Sequence, residues 1–194
     1  MILSDGEIEE AIRQGRILID PPPTGEQYTS SALDLVLGEE ILELKEPSEL
    51  ESQQPDGVEV SFVLDSMRID LQGFYQQYGK PVARQADGSV FLPRDTFVLG
   101  ITRERIELPK RSKIAARVEG RSSLARLGLS VHFTAPTIHA GFAGHIVLEM
   151  YNFGPYCLRL HPERQHICQV VFERLGRVPR ELPRTKWMHQ KSIR

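Results

Sequence analysis

Between Gly120 and Asn152 the sequence GRSSLARLGLSVHFTAPTIHAGFAGHIVLEMYN gathers the side chains best suited to chemistry. Gly120-Arg121-Ser122-Ser123 opens a short helical segment, where unpaired backbone N–H groups and two hydroxyls face one spot. Such an opening receives an anion, and Arg121 adds a charge-assisted donor. Arg126 lies one helical turn after Ser122, so both side chains project to one face. Farther on, Glu149 interrupts the apolar run Ile146-Val147-Leu148-Glu149-Met150. A carboxylate in that setting is expected to be desolvated, which raises its proton affinity and suits it to general acid–base work. Each residue alone also has a plainer reading. Glu149 fits a solvent-facing strand position, and Arg121 and Arg126 fit surface cations or ion-pair partners.

The elements that must position these residues are mostly short strands. One helix is clear at the start: Ser4 and Glu7 form an S-x-x-E capping box, Ile8, Ala11 and Ile12 share a face, and Gly15 stands at the end. Ile17, Leu18 and Ile19 run into Pro21, Pro22 and Pro23, which end any ladder because proline donates no backbone hydrogen bond. Ala32 to Leu37 alternates before Gly38. Asp56-Gly57 and Asp87-Gly88 are hairpin signals, the second predicting a join of Pro81–Ala83 to Val90–Leu92. Further strands are predicted at Phe97–Leu99, Ile114–Ala116, Val131–Phe133, Ile146–Met150 and Ile167–Phe172, with a short helix near 122–128 closed by Gly128. Short, regularly spaced strands with few helices predict an all-β barrel or jelly-roll.

The 194 residues suffice for one well-buried domain and are few for two. A net charge of −2 offers no case for binding nucleic acid or an anionic membrane. No apolar run approaches the roughly 20 residues of a spanning helix, and the acidic N-terminus does not read as a secretory signal. Cys157 and Cys168 make no disulfide framework, so a cytoplasmic location is expected. From Arg174 the chain carries Arg177, Arg180, Arg184, Lys186, Lys191 and Arg194 against Glu181 alone, without apolar periodicity. A barrel over 1–175 and a basic, mobile tail over 176–194 are expected.

The stretch resembles the signature of the dCTP deaminases, members of the dUTPase-like superfamily. The resemblance rests on GRSSLARLGL (Gly120–Leu129), on T-A-x-x-I-x-x-G-F-x-G (Thr134–Gly144) and on I-V-L-E-x-Y-N (Ile146–Asn152). Weaker matches are Leu3-Ser4-Asp5, Leu33-Asp34-Leu35 with Leu37-Gly38, Leu108-Pro109 and Gln169; roughly Lys45–Arg84 lies outside it. The resemblance implies a mainly β, distorted jelly-roll barrel assembled as a homotrimer. It implies zinc-independent deamination of dCTP to dUTP and ammonia, a step in pyrimidine deoxynucleotide metabolism. Glu149 would activate the attacking water, Ser122 and Arg126 would hold it and stabilise developing charge, and the main chain at Ala135 would help place it. Arg121, Ser122, Ser123 and Arg126 would come from one subunit, Ala135 and Glu149 from the next. The triphosphate, with Mg2+, would rest on Arg121, Ser122, Ser123 and Gln169, and Lys186 and Gln190 of a K-W-x-x-Q match would close over it. The resemblance also raises dTTP as an inhibitor.

The sequence departs from that pattern in places. His139 stands where the resemblance expects a sugar-reading aspartate, which changes charge and reach at the deoxyribose. Pro162-Glu163-Arg164 replaces P-G-M, Val36 stands where arginine is frequent, and no glycine-rich motif closes the tail. A zinc deaminase is the contrasting enzyme: His161-Pro162-Glu163 fits its H-x-E half, but Cys157 and Cys168 form no C-x-x-C. The other readings are a dUTP diphosphatase, an enzyme performing both steps, and a non-catalytic nucleotide sensor on the same scaffold.

Overall fold

Ser4 and Glu7 cap the first helix, α1 (Asp5–Arg13), as their spacing predicts. The Ser4 hydroxyl accepts from the Glu7 N–H at 3.4 Å, and the Glu7 carboxylate accepts from the Ser4 N–H at 3.1 Å. Ile8 and Ala11 are buried, and Gly15 at φ 66° turns the chain toward β1 (Leu18–Asp20). The computed structural model describes residues 1–45, 64–180 and 191–193.

The other elements follow in order: β2 (Tyr28–Thr29), β3 (Ala32–Leu44), α2 (Leu71–Tyr78), β4 (Gly79–Pro81), β5 (Val90–Leu92) and β6 (Phe97–Glu107). Then come β7 (Ile114–Gly120), α3 (Ser122–Ala125), β8 (Leu129–Ser130), β9 (Thr137–Ile138), β10 (Ala143–Asn152), β11 (Leu158–Leu160) and β12 (His166–Arg174). The fold is mainly β. Ten strands form one curled sheet along the path β8-β10-β6-β3-β12-β7-β9, with β1 on β6 and β2 and β4 on β3; β5 and β11 pair separately.

Strand β3 belongs to both halves of this sheet. Leu33 to Val36 pair with β12, whereas Leu37 to Glu43 pair with β6. Its residues from Ala32 to Gly38 are buried in an unbroken run, because both faces are covered there. The sequence predicts an end at Gly38, yet the strand continues to Leu44. A Cβ at Gly38 would lie 3.0 Å from the Ile101 carbonyl oxygen, so glycine here admits the neighbouring backbone rather than ending the strand. A register shift between Leu37 and Ile41 swings the strand from one half to the other.

Two local expectations are overturned. The Asp87-Gly88 turn forms, with Gly88 at φ 81°, but only the Arg84–Val90 bridge links its arms. β4 pairs instead with β3, and β5 with β11, partners distant in sequence that the turn residues do not announce. Val131–Phe133 is not a strand, and the Phe133 N–H goes to a carboxylate instead of a ladder. Asp56-Gly57 lies outside the described residues.

The main core contains Leu33, Leu35, Leu37, Ile106, Leu148 and Phe172, all fully buried. Each such side chain stabilises the fold by about 1.5–3 kcal/mol. A smaller cluster joins Leu42, Leu99 and Ile101 to Ile193. There the Ile193 N–H donates to Glu40 Oε2 at 3.0 Å and the Ser192 hydroxyl to Glu40 Oε1 at 3.1 Å. Residues 191–193 are thus docked on β3, unlike the free tail that the sequence predicts, because one apolar side chain finds a pocket that no periodicity announces. Among the described residues no helix is long and apolar enough to cross a membrane.

Candidate active site

Strand β10 alternates regularly: Ile146, Leu148 and Met150 point into the core, and Val147, Glu149 and Tyr151 point the other way. A bulge against β6 between His145 and Val147 sets which residues face out. Thr102 stabilises it from β6: its hydroxyl accepts from the Ile146 N–H at 3.0 Å, and its carbonyl lies 3.0 Å from His145 Nδ1. Glu149 is half-buried, and its Oε2 accepts from the Phe133 N–H at 3.3 Å. One carboxylate oxygen is therefore oriented by the main chain.

Glu149, Ala135 and His139 line one cavity of about 450 Å3, together with Tyr75, His132 and His145. Ala135 and His139 reach it from the loop around β9, which is held to β7 by the pairing of Thr137 and Ile138 with Arg117 and Ala116. His139 also lines a neighbouring cavity of about 400 Å3 beside Arg117 and Glu173.

A second group lies on β3, β7 and β12. Arg121 Nη2 meets Asp34 Oδ2 at 3.0 Å, and Nη1 donates to the His166 carbonyl at 3.3 Å. Asp34 is 3% exposed; burial raises its carboxyl above the ordinary value of 3.8, against the charges of Arg121 and then His166, which lower it. Gln169 sits beside Asp34 and Glu119 in the sheet, and its side-chain amide donates to the Gly120 carbonyl at 3.4 Å.

Ser122, Ser123 and Arg126 belong to α3 and the turn after it, all exposed. The helix is one turn long, shorter than 122–128, because the chain reverses at Gly128 with φ 94°. A Cβ there would lie 2.2 Å from the Gly154 nitrogen, so this turn demands glycine.

Within one chain the predicted residues thus form two groups. Glu149, Ala135 and His139 share a cavity, while Arg121 and Gln169 gather at the mouth of α3 with Ser122, Ser123 and Arg126 outside the cavity lining. Lys186 and Gln190 lie outside the described residues. Cys168 is buried, its thiol pushed far up by burial, and Cys157 is exposed. Among the described residues no three His, Cys, Asp or Glu side chains gather as a metal site, so Cys157, His161 and Cys168 form none.

The sequence assigns Asp34, though part of a family match, no role, and it points to neither the Phe133 amide nor Tyr75. A lone acid in Leu33-Asp34-Leu35 is the same signal that singled out Glu149, and Leu71 and Tyr75 stand at helical spacing. An aromatic group of Phe97, Phe133, Tyr151 and Phe153 also surrounds the Glu149 edge, with Phe133 to Tyr151 at 6.1 Å and Tyr151 to Phe153 at 4.4 Å.

A curled, mainly antiparallel sheet thus carries a half-buried carboxylate in a cavity and, apart from it, an exposed arginine–serine turn. The chain belongs to the dCTP deaminase-like family, whose model matches residues 2–175. It is 33% identical over 182 residues to a dUMP-forming dCTP deaminase of Methanobrevibacter smithii, covering 94% of this chain and 84% of the relative. It is 35% identical over 181 residues to a dCTP deaminase of Rhodospirillum rubrum, covering 90% and 83%. Its fold resembles the solved 2′-deoxycytidine 5′-triphosphate deaminase of Agrobacterium tumefaciens, with a TM-score of 0.61 and 18% identity. That match covers 90% of this chain but 48% of the solved one, so the chain spans about half its length.

Proposed function

We propose that this protein deaminates dCTP hydrolytically to dUTP and ammonia, with Glu149 moving the protons. The observation that carries the reading is the half-buried Glu149 carboxylate, oriented by the Phe133 N–H, in a cavity with the Ala135 main chain. Glu149 takes a proton from the water attacking C4 of the cytosine and returns it to the departing amino group. Water is a poor nucleophile without a base, and ammonia leaves poorly without an acid. Ser122 and Arg126 hold that water and stabilise charge on the tetrahedral intermediate.

The protein works as a homotrimer in which each site takes Arg121, Ser122, Ser123 and Arg126 from one subunit and Ala135 and Glu149 from its neighbour. Two features support this: Ser122, Ser123 and Arg126 are exposed outside the cavity lining, and Phe133 and Phe153 are 45% and 60% exposed beside Glu149. An apolar patch of that kind suits burial between subunits. The triphosphate rests on Arg121, Ser122, Ser123 and Gln169, bringing Mg2+ with it, and His139 contacts the sugar. Lys186 and Gln190 close the site. The two free cysteines suit a reducing cytoplasm.

A second reading has a specific support: several relatives, including the Methanobrevibacter smithii protein, are named dUMP-forming. One experiment separates the readings. Purified protein is incubated with dCTP and Mg2+, and dCTP, dUTP and dUMP are resolved by ion-exchange chromatography. Accumulating dUTP establishes the deaminase; dUMP with pyrophosphate establishes the two-step enzyme. Intact dCTP with cleaved dUTP would make it a diphosphatase. Binding of dCTP or dTTP without any product would make it a sensor.

A further inference from the structure

We propose that Tyr75 contacts the pyrimidine ring of the nucleotide inside the Glu149 cavity, its hydroxyl donating a hydrogen bond to a ring acceptor; this rests on the deaminase reading above. Tyr75 comes from α2, in the part of the chain that the sequence motifs do not cover. Leu71 and Tyr75 are one turn apart on α2 and both line the cavity. The helix is held over the sheet at its far end. It passes directly into β4, which pairs with β3, and the Lys45 N–H donates to the Tyr78 carbonyl at 3.0 Å. None of its residues is fully buried, so α2 lies on the sheet as a cover rather than as a core helix.

The Tyr75 ring packs on the small cluster of Leu42, Leu99, Ile101 and Ile193 beside Phe97 and Val147. A phenylalanine would fill that space equally well, so packing does not account for the hydroxyl. That hydroxyl has no hydrogen-bond partner among the described residues. Burial, and then the negative charge of Glu149, push the phenol above its ordinary value of 10.0, which keeps it an O–H donor at neutral pH.

Charge decides which part of a nucleotide enters. Among the described residues of one chain the cavity lining holds the Glu149 carboxylate and neither lysine nor arginine, so a triphosphate is disfavoured inside it. Within the same chain Arg121 lies outside this cavity, beside Asp34. The neutral, planar base is the part that fits between Leu71, Phe97 and Val147, within reach of the phenol.

The test compares wild type, Tyr75→Phe and Tyr75→Ala in steady-state kinetics with dCTP, with thermal melting of each. The binding of dCTP to Glu149→Gln and to Glu149→Gln/Tyr75→Phe is measured by calorimetry. Tyr75→Phe is expected to raise KM and Kd about 3- to 10-fold, the size of one lost hydrogen bond. Its kcat should stay within about twofold and its Tm within about 2 °C. Unchanged KM and Kd in the phenylalanine variant overturn the proposal, whatever the alanine variant does. If Tyr75→Phe behaves as wild type and Tyr75→Ala alone loses activity, the ring is only packing and the proposal also falls. A wild type that neither binds nor converts dCTP overturns the deaminase reading together with the proposal, whereas an active wild type with an indifferent Tyr75→Phe overturns the proposal alone.

Discussion

The guanidinium of Arg121 is held 3.0 Å from the carboxylate of Asp34, which is nearly sealed from solvent between β12 and the rest of the sheet. Arg121 closes β7 and precedes α3, so this pair fixes the angle at which the arginine leaves the sheet. Asp34→Asn keeps the shape but removes the charge that holds the guanidinium. KM for dCTP is expected to rise about 3- to 10-fold while kcat changes little if, as proposed, Arg121 holds the phosphates, because the loss then falls on ground-state binding. Steady-state kinetics check it; a fall in kcat at constant KM would place Asp34 in the chemical step instead.

Glu149→Gln preserves an oxygen to accept the Phe133 N–H but cannot take up a proton. Turnover of dCTP should fall by at least about 100-fold, with dCTP binding retained. Calorimetry beside a product assay reads both quantities. Joint loss of binding and turnover would mean that the carboxylate supports the fold of the β10 edge rather than the reaction.

If sites are shared between subunits, two dead variants should complement. Arg126→Ala and Glu149→Gln chains, each inactive alone, are refolded together at equal amounts. In random mixed trimers each site has about a one-half chance of an intact Arg126 and an independent one-half chance of an intact Glu149, giving about a quarter of wild-type activity. Sites built within one chain would stay inactive in every mixture.

Asp87 anchors the turn between β4 and β5: it accepts from the Ser89 hydroxyl at 2.7 Å, the Ser89 N–H at 3.1 Å and Arg159 at 2.8 Å. The Ser89 bonds first, and Arg159 after them, pull its carboxyl down from 3.8 to about 2. A carboxyl lowered on folding contributes stability that is present above the unfolded value and lost as pH falls through the folded one. Between pH 3.8 and about 2 the wild type should therefore lose stability that Asp87→Asn does not have to lose. Melting curves of both proteins across that range should converge toward the acid end; parallel curves would show that the bonds do not favour the charged form.

Much of this protein is local in origin and so can be read from the chain alone. The capping of α1 by Ser4 and Glu7, the strand periodicity of β10 around Glu149 and the family motif from Gly120 to Asn152 are carried by residues close along the chain. Tertiary structure decided what depends on partners distant in sequence. It carried β3 through Gly38, turned Val131–Phe133 from strand into a donor for Glu149, and joined Arg121 to Asp34. It also brought α2 over the cavity and seated Ile193 on Leu42, Leu99 and Ile101. A docked apolar side chain is stabilised by losing its water, whereas a buried ion pair must offset the cost of losing water by the attraction between its two members. Which two residues lose their water together is set by how the sheet curls, and no local pattern along the sequence carries that information.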